Sequence, residues 1–141
     1  MSEPVYARDA DLTVGEYVDV VGNSTLGTTR PLGDRERVAA MLAGADLLVT
    51  ARIDGRCVGL ARCLTDFAWV AYCGDLAVHN DFQGRGIGKG LLRQCREELG
   101  EGVGIALLSV PEAVSFYERS AYALGFRRYG HAFFMNRTRG T

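Results

Sequence analysis

The run His79-Asn80-Asp81-Phe82-Gln83-Gly84-Arg85-Gly86-Ile87-Gly88-Lys89-Gly90 decides how the rest of the chain is read. The residues before it, 68–78, are strand-like, and the residues after it, 91–99, read as a helix. Glycines between a strand and a helix let backbone N–H groups converge, and the start of the helix adds a positive end. The run is therefore read as an anion-binding turn. A P-loop is excluded because Lys89 is followed by Gly90 rather than by a hydroxyl residue. The Gly84-x-Gly86-x-Gly88 spacing also misses the dinucleotide fingerprint, and no ribose-binding acid follows at the usual interval.

Upstream, residues 68–78 form the last strand of an antiparallel meander. Its earlier members are 47–52 and 57–64, joined by the Asp54-Gly55 hairpin signal. Before the meander lie a short strand at 4–7 and two helices. The first helix, 11–21, carries Thr13 and Glu16 as a capping box. The second starts at Gly33-Asp34, turns Val38, Met41 and Leu42 inward, and stops at Gly44. Downstream of the turn, Leu91, Leu92, Cys95 and Leu99 give the inner face of the central helix. Residues 105–110 then form an apolar strand suited to cover on both sides. Pro111 opens a helix over 112–122, and a terminal hairpin over 125–136 is expected, with Tyr129-Gly130-His131 at its turn. Residues 137–141 are a polar tail. The predicted order is β-α-α-β-β-β-α-β-α-β-β. It implies a mixed α/β (α+β) fold: one domain over 1–141, with a central, mostly antiparallel mixed sheet and helices on both faces.

Composition agrees with a globular chain: 48% hydrophobic and 23% charged. A formal charge of −1, from 16 basic and 17 acidic residues, argues against a nucleic-acid partner. No apolar run reaches the roughly 18–20 residues that span a bilayer, so no membrane partner is expected. Residues 1–10 lack a secretory pattern, and a cytoplasmic location is expected. Cys57, Cys63, Cys73 and Cys95 have no C-x-x-C spacing and there are only two histidines, so reduced, buried thiols and no metal site are expected.

The wording Gln83-x-x-Gly86-x-Gly88, preceded by Asp75-Leu76-Ala77-Val78 and followed by Ser115-Phe116-Tyr117-Glu118 and Gly125-Phe126, resembles the GCN5-related N-acetyltransferase (GNAT) superfamily. The resemblance covers most of the chain and is firmest from Leu76 to Phe126. It implies a GNAT-like acyl-CoA N-acyltransferase fold and acetyl-CoA as the acetyl donor. It assigns Gln83, Gly84, Arg85, Gly86, Ile87, Gly88 and Lys89 to the coenzyme A pyrophosphate. It also assigns Leu76, Ala77, Val78, Phe116 and Tyr117 to the rest of the coenzyme. The activity implied is acetyl transfer to a primary amine by direct attack in a ternary complex, with no metal.

By the same resemblance, strands 68–78 and 105–110 splay apart to admit the pantetheine arm. A backbone N–H near Leu76–Val78 then meets the thioester oxygen. Tyr117 matches the family's acid, whose proton goes to the departing thiolate. The family's interval from that tyrosine to Gly-Phe is four residues. Here it is eight, which leaves Tyr122 as a rival to Tyr117. Candidate bases are Asp75, with Asp66, Asp81, Glu16 and His131 beside it, or a water chain in their place. His79 is read as a capping residue.

The acceptor, a small-molecule or protein amine, would be held by residues 25–30, 66–69 and 129–134. Trp69, Tyr72, Phe133 and Phe134 are aromatic candidates for its wall or for a homodimer contact, and the acidic positions nearby would suit a cationic amine. The alternative function is an acyl-CoA-binding sensor or partner-binding module without turnover.

Overall fold

The computed structural model describes residues 2–138; the last three positions of the expected tail lie outside them. In chain order the elements are β1 (Val5–Arg8), α1 (Val14–Gly22), α2 (Arg35–Ala43), β2 (Leu47–Ile53), β3 (Arg56–Thr65), β4 (Val70–Val78), α3 (Ile87–Leu99), β5 (Gly104–Ala106) and α4 (Val114–Arg119). The strands form one sheet in the order β1-β2-β3-β4-β5. All neighbours are antiparallel except β4 and β5, which run parallel. The mixed, mostly antiparallel sheet expected from the sequence is therefore the one found.

Local chemistry accounts for the boundaries. Thr13 and Glu16 form the expected capping box: Thr13 Oγ1 accepts from the Glu16 N–H at 3.1 Å, and Glu16 Oε1 accepts from the Thr13 N–H at 3.1 Å. Asp34 caps α2 through the Arg37 N–H. Asp54 and Gly55 both take positive φ, 49° and 83°, as a two-residue hairpin demands. β4 starts at Val70 rather than at 68 because Asp66 Oδ1 accepts from the N–H groups of Ala68, Trp69 and Val70 and folds that stretch into a turn.

Helices cover both faces. Beneath α3, its residues Ile87, Leu91, Cys95 and Leu99 pack on Val49, Val58, Ala61, Cys63 and Cys73. Beneath α1 and α2, Tyr17, Val20, Val21 and Val38 pack on Leu48, Cys57, Leu60 and Ala77. All four cysteines are buried as free thiols.

A β-bulge sets which residues of β4 meet which helix. Arg62 pairs with Asp75 and Cys63 with Cys73, so Gly74 is the extra residue. Before the bulge, Ala71 and Cys73 face the α3 side. After it the phase reverses: Ala77 faces the α1 side, while Leu76 and Val78 face α3.

The C-terminal third departs from expectation. The strand expected at 105–110 is only Gly104–Ala106, and the helix expected at 112–122 is a short α4 flanked by 3-10 turns at Pro111–Ala113 and Ala121–Leu124. The terminal hairpin is absent: among the described residues no strand follows β5. The cause is a missing template. A two-stranded hairpin is marginal on its own, and a three-residue β5 offers it almost no edge. Tyr129, Phe133 and Met135 are accordingly 80%, 96% and 94% exposed. Among the described residues no helix is long and apolar enough to cross a membrane.

Candidate active site

The sheet opens where β4 outlasts its parallel neighbour. Pairing with β5 covers only Val70–Tyr72, and the edge of β4 from Cys73 to Val78 has no strand partner. The departing chain at 107–110 forms the opposite wall. The slot between is lined by Cys73, Gly74 and Leu76 on β4, by Leu107, Leu108, Ser109 and Val110, and by Ala113 and Tyr117. Thr25, Leu26 and Arg30 close its far end.

The glycine turn sits at the end of β4. His79 caps a 3-10 turn over Asn80–Phe82, its Nδ1 accepting from the Asp81 N–H. The Asn80 N–H donates to the Asn23 carbonyl at 2.7 Å, tying the turn to the end of α1. The Gln83 side-chain amide donates back to the Val78 carbonyl at 3.1 Å and to Asn80 Oδ1 at 3.2 Å, closing the loop on the strand it left. Gly84 and Gly86 both have φ of +78°, where an added Cβ would meet open space but the backbone itself disfavours any other residue.

Gly86 is the N-cap of α3 and has no side chain to satisfy the first N–H groups of the helix. The turn therefore presents uncapped donors with the positive end of a 13-residue helix behind them. Arg56 and Arg85 flank the Phe82 ring at 5.1 and 5.3 Å, and Lys89 is half-buried on the first turn of α3.

The other predicted coenzyme residues divide by side-chain role. Leu76 lines the slot, Ala77 is buried on the α1 face, and Ile87 is buried in the core beneath α3. Gly88 matters for packing as well as for approach to the turn: a Cβ there would lie 3.1 Å from the Phe116 ring. Phe116 in turn stacks edge-on against Tyr117 at 5.0 Å.

Tyr117 lines the slot, and burial, followed by the neighbouring Cys73, pushes its phenol pKa up. Among the described residues its hydroxyl makes no hydrogen bond. Tyr122 lies elsewhere, half exposed beneath the Arg127 guanidinium at 3.7 Å.

Asp75, expected as a base, is instead the centre of a buried ion cluster. Tyr17 Oη donates to Oδ2 at 2.7 Å, Arg62 Nε donates to Oδ2 at 2.6 Å, and Arg30 Nε donates to Oδ1 at 2.5 Å. Burial alone would raise its pKa. Arg62, by charge and hydrogen bond, then Tyr17 and Arg30, outweigh that and hold it below the usual carboxylate value. A carboxylate so paired is a poor proton acceptor and a strong anchor.

The other candidate bases are also engaged or remote. Glu16 is held to about 2 chiefly by Arg52, whose Nη1 donates to it at 2.6 Å. Asp66 serves its turn, with its pKa lowered by the N–H groups of Trp69, Ala68 and Val70. Asp81 and His131 are exposed.

The slot opens into a cleft of about 700 Å³ that shares Arg30, Gly74, Leu108, Ser109 and Val110 with it. Thr28, Pro31, Met41, Tyr72 and Phe134 line this cleft too. Of the three predicted acceptor segments, 25–30 and Phe134 contribute, whereas 66–69 do not, and Trp69 is 76% exposed elsewhere. The charge of the cleft is opposite to expectation: Arg30, Arg37, Arg62 and Arg137 line it, and among the described residues no carboxylate or histidine does. Sequence reasoning had Arg30 within the candidate acceptor segment 25–30 but missed Arg62. The one available signal was Arg62 itself, an ionised residue within an apolar strand, with Asp75 on the neighbouring strand to answer it.

Comparison with known proteins gives a consistent picture. The family model "Acetyltransferase (GNAT) domain" matches residues 44–127. Two curated relatives, each described as an uncharacterized N-acetyltransferase ycf52, come from Pyropia yezoensis and Porphyra purpurea. They are 37% identical over 75 residues and 38% identical over 73 residues. These matches cover 52% and 50% of this chain but only 41% and 40% of the relatives, so the chain spans about two-fifths of their length.

Among solved structures, a Deinococcus radiodurans R1 protein whose acetyltransferase assignment is provisional superposes with a TM-score of 0.73 at 27% identity, covering 96% of this chain and 90% of that one. A GNAT-family acetyltransferase from Streptococcus pneumoniae TIGR4 gives 0.69 at 19% identity, over 95% and 98% of the two chains. An aminoglycoside acetyltransferase from an uncultured soil metagenomic sample, solved with sisomicin, gives 0.67 at 18% identity over 95% and 97%. The last two likenesses concern the fold.

Proposed function

Because the chain belongs to the GNAT acetyltransferase family, we propose that it moves an acetyl group from acetyl-CoA to a primary amine held beside it in a ternary complex. The observation that carries this reading is the coincidence of two features on one strand. The edge of β4 opens beyond Tyr72, and the same strand ends at an uncapped helix start.

Acetyl-CoA supplies an activated acetyl thioester. The donors at Gly84–Lys89 suit its pyrophosphate, with Arg85 and Lys89 adding charge. The open edge at Leu76–Val78 suits an extended amide-bearing arm, which adds to it as a strand would. A β4 N–H facing the slot would stabilise the thioester oxygen as charge develops there.

Tyr117 would hold the proton that the departing sulfur takes. The support is its position on the slot wall, where among the described residues its hydroxyl makes no hydrogen bond and a phenol is protonated at neutral pH. Asp75 is a positioning residue in this scheme, fixing Arg30 and Arg62. With no carboxylate or histidine on the cleft wall among the described residues, the amine proton would leave to water. The arginines would assist, because like charge disfavours the ammonium form.

The test is calorimetric titration of acetyl-CoA, paired with release of free CoA thiol over a panel of amines. Saturable binding that is badly weakened in Gly86→Glu is expected. No binding of acetyl-CoA or CoA to the folded protein would overturn the reading. Tight binding without turnover of any amine would favour an acyl-CoA sensor, a reading consistent with a cleft wall that carries no carboxylate or histidine among the described residues.

A further inference from the structure

We propose that the acceptor is an amine that also carries a carboxylate, of the amino-acid class, with the carboxylate recognised by Arg62 beside Arg30. The inference rests on the acetyltransferase reading and specifies which substrate that site takes.

The charge balance of the cleft comes first. Asp75 offsets only one of the two guanidiniums bonded to it, so the cluster of Arg30, Arg62 and Asp75 keeps one net positive charge. Asp75 itself is fully covered and lies behind the wall, whereas both arginines line the cleft and stay 21% and 14% exposed. Arg37 and Arg137 extend the same sign along the wall. A polycationic acceptor would meet like charge there, with no carboxylate among the described lining residues to receive it.

The arginines are also held in place. Arg30 uses Nε on Asp75, Nη1 on Thr29 Oγ1 at 2.7 Å and Nη2 on the Gly74 carbonyl at 2.8 Å. Arg62 bonds Asp75 through Nε, and its Nη2 lies against Gly74, where any Cβ would come within 2.9 Å of it. The bulged glycine therefore makes room for the guanidinium at the mouth of the cleft. A planar fork held by a buried anion on one side suits two-point capture of a carboxylate on the other.

Apolar surface from Met41, Tyr72, Leu108 and Phe134 completes the wall and suits an uncharged side chain. The slot that would hold the thioester shares Arg30 and Gly74 with this cleft. A carboxylate bound there would therefore sit a few atoms from the reacting nitrogen.

The experiment compares products as ligands, which needs no turnover. N-acetylphenylalanine and N-acetyl-2-phenylethylamine are titrated calorimetrically into the protein saturated with CoA, at low and high salt. The acid should bind at least about tenfold tighter, because a site built to pair a group rejects the analogue lacking it. That preference should shrink with salt and vanish in Arg62→Gln, with Arg62→Lys intermediate and CoA affinity retained in both. In turnover, phenylalanine should exceed 2-phenylethylamine and spermidine in kcat/KM by a similar factor. Equal or tighter binding of the uncharged product, or faster turnover of spermidine, would overturn the inference. Failure of CoA itself to bind would instead sink the acetyltransferase reading beneath it.

Discussion

Tyr17 Oη donates to Asp75 Oδ2 at 2.7 Å across 58 positions of sequence, joining the middle of α1 to the strand that lines the candidate active site. Both groups are buried, and Asp75 also receives Arg30 and Arg62. This bond couples α1 to the strand whose open edge lines the slot. Tyr17→Phe should therefore cost about 1–2 kcal/mol of stability, the penalty for a lost charge-assisted bond. Asp75→Ala, which strands two guanidiniums, should cost about 3 kcal/mol or more. Urea unfolding followed by circular dichroism measures both. Equal stability of Asp75→Ala and wild type would show that the cluster contributes nothing.

The same carboxylates set an acid limit. Asp75 and Glu16 both hold folded-state pKa values below their unfolded ones, Glu16 near about 2 against an ordinary 4.5. A depressed folded pKa contributes its full stabilisation above the unfolded value and loses it as pH falls toward the folded one. Tm should then be level from pH 7 down to about 5 and decline from about 4.5 toward 2. In Asp75→Asn the decline should be shallower. A Tm that rises on acidification in this range would contradict the assignment.

Gly90 has a packing duty independent of any phosphate. A Cβ at this position would lie 2.3 Å from Tyr6 Cζ, inside the Tyr6 ring that covers α3. Gly90→Ala should destabilise by about 1–3 kcal/mol through overpacking, and Tyr6→Ala in the same chain should relieve part of the clash. Thermal melts of the two single variants and the double variant test this. An additive double variant would rule the contact out.

Tyr117→Phe removes the only slot-lining phenol among the described residues and should lower kcat by roughly a hundredfold or more, with acetyl-CoA affinity unchanged. Tyr122→Phe, exposed beneath Arg127, should leave kcat where it was. Steady-state kinetics alongside calorimetry distinguishes them. A reversed pattern would transfer the acid role to Tyr122.

The first hundred residues were legible because their signals are local. The Thr13–Glu16 box, the Asp34 cap, the Asp54-Gly55 turn and the apolar face of α3 each determine their own conformation. The terminal hairpin was misread because the Tyr129-Gly130-His131 turn records a capacity to pair, and the edge to pair with is lacking. The glycine turn between β4 and α3 was readable from spacing alone. The arginine cleft was not. Its members, at 30, 37, 62 and 137, come from separate segments, and only the folded chain brings them to one wall.

Gly74 gives β4 a seam. Cys73 and Asp75 are two positions apart, yet one belongs to the thiol-lined core under α3 and the other to the ion cluster under α1. Were Gly74 paired as an ordinary strand residue instead of bulging, plain alternation would put Asp75 on the face of Cys73, among the cysteines, and leave the two guanidiniums without their anion. The strand depends on a single surplus residue to keep its thiol and its charge on opposite sides of the sheet.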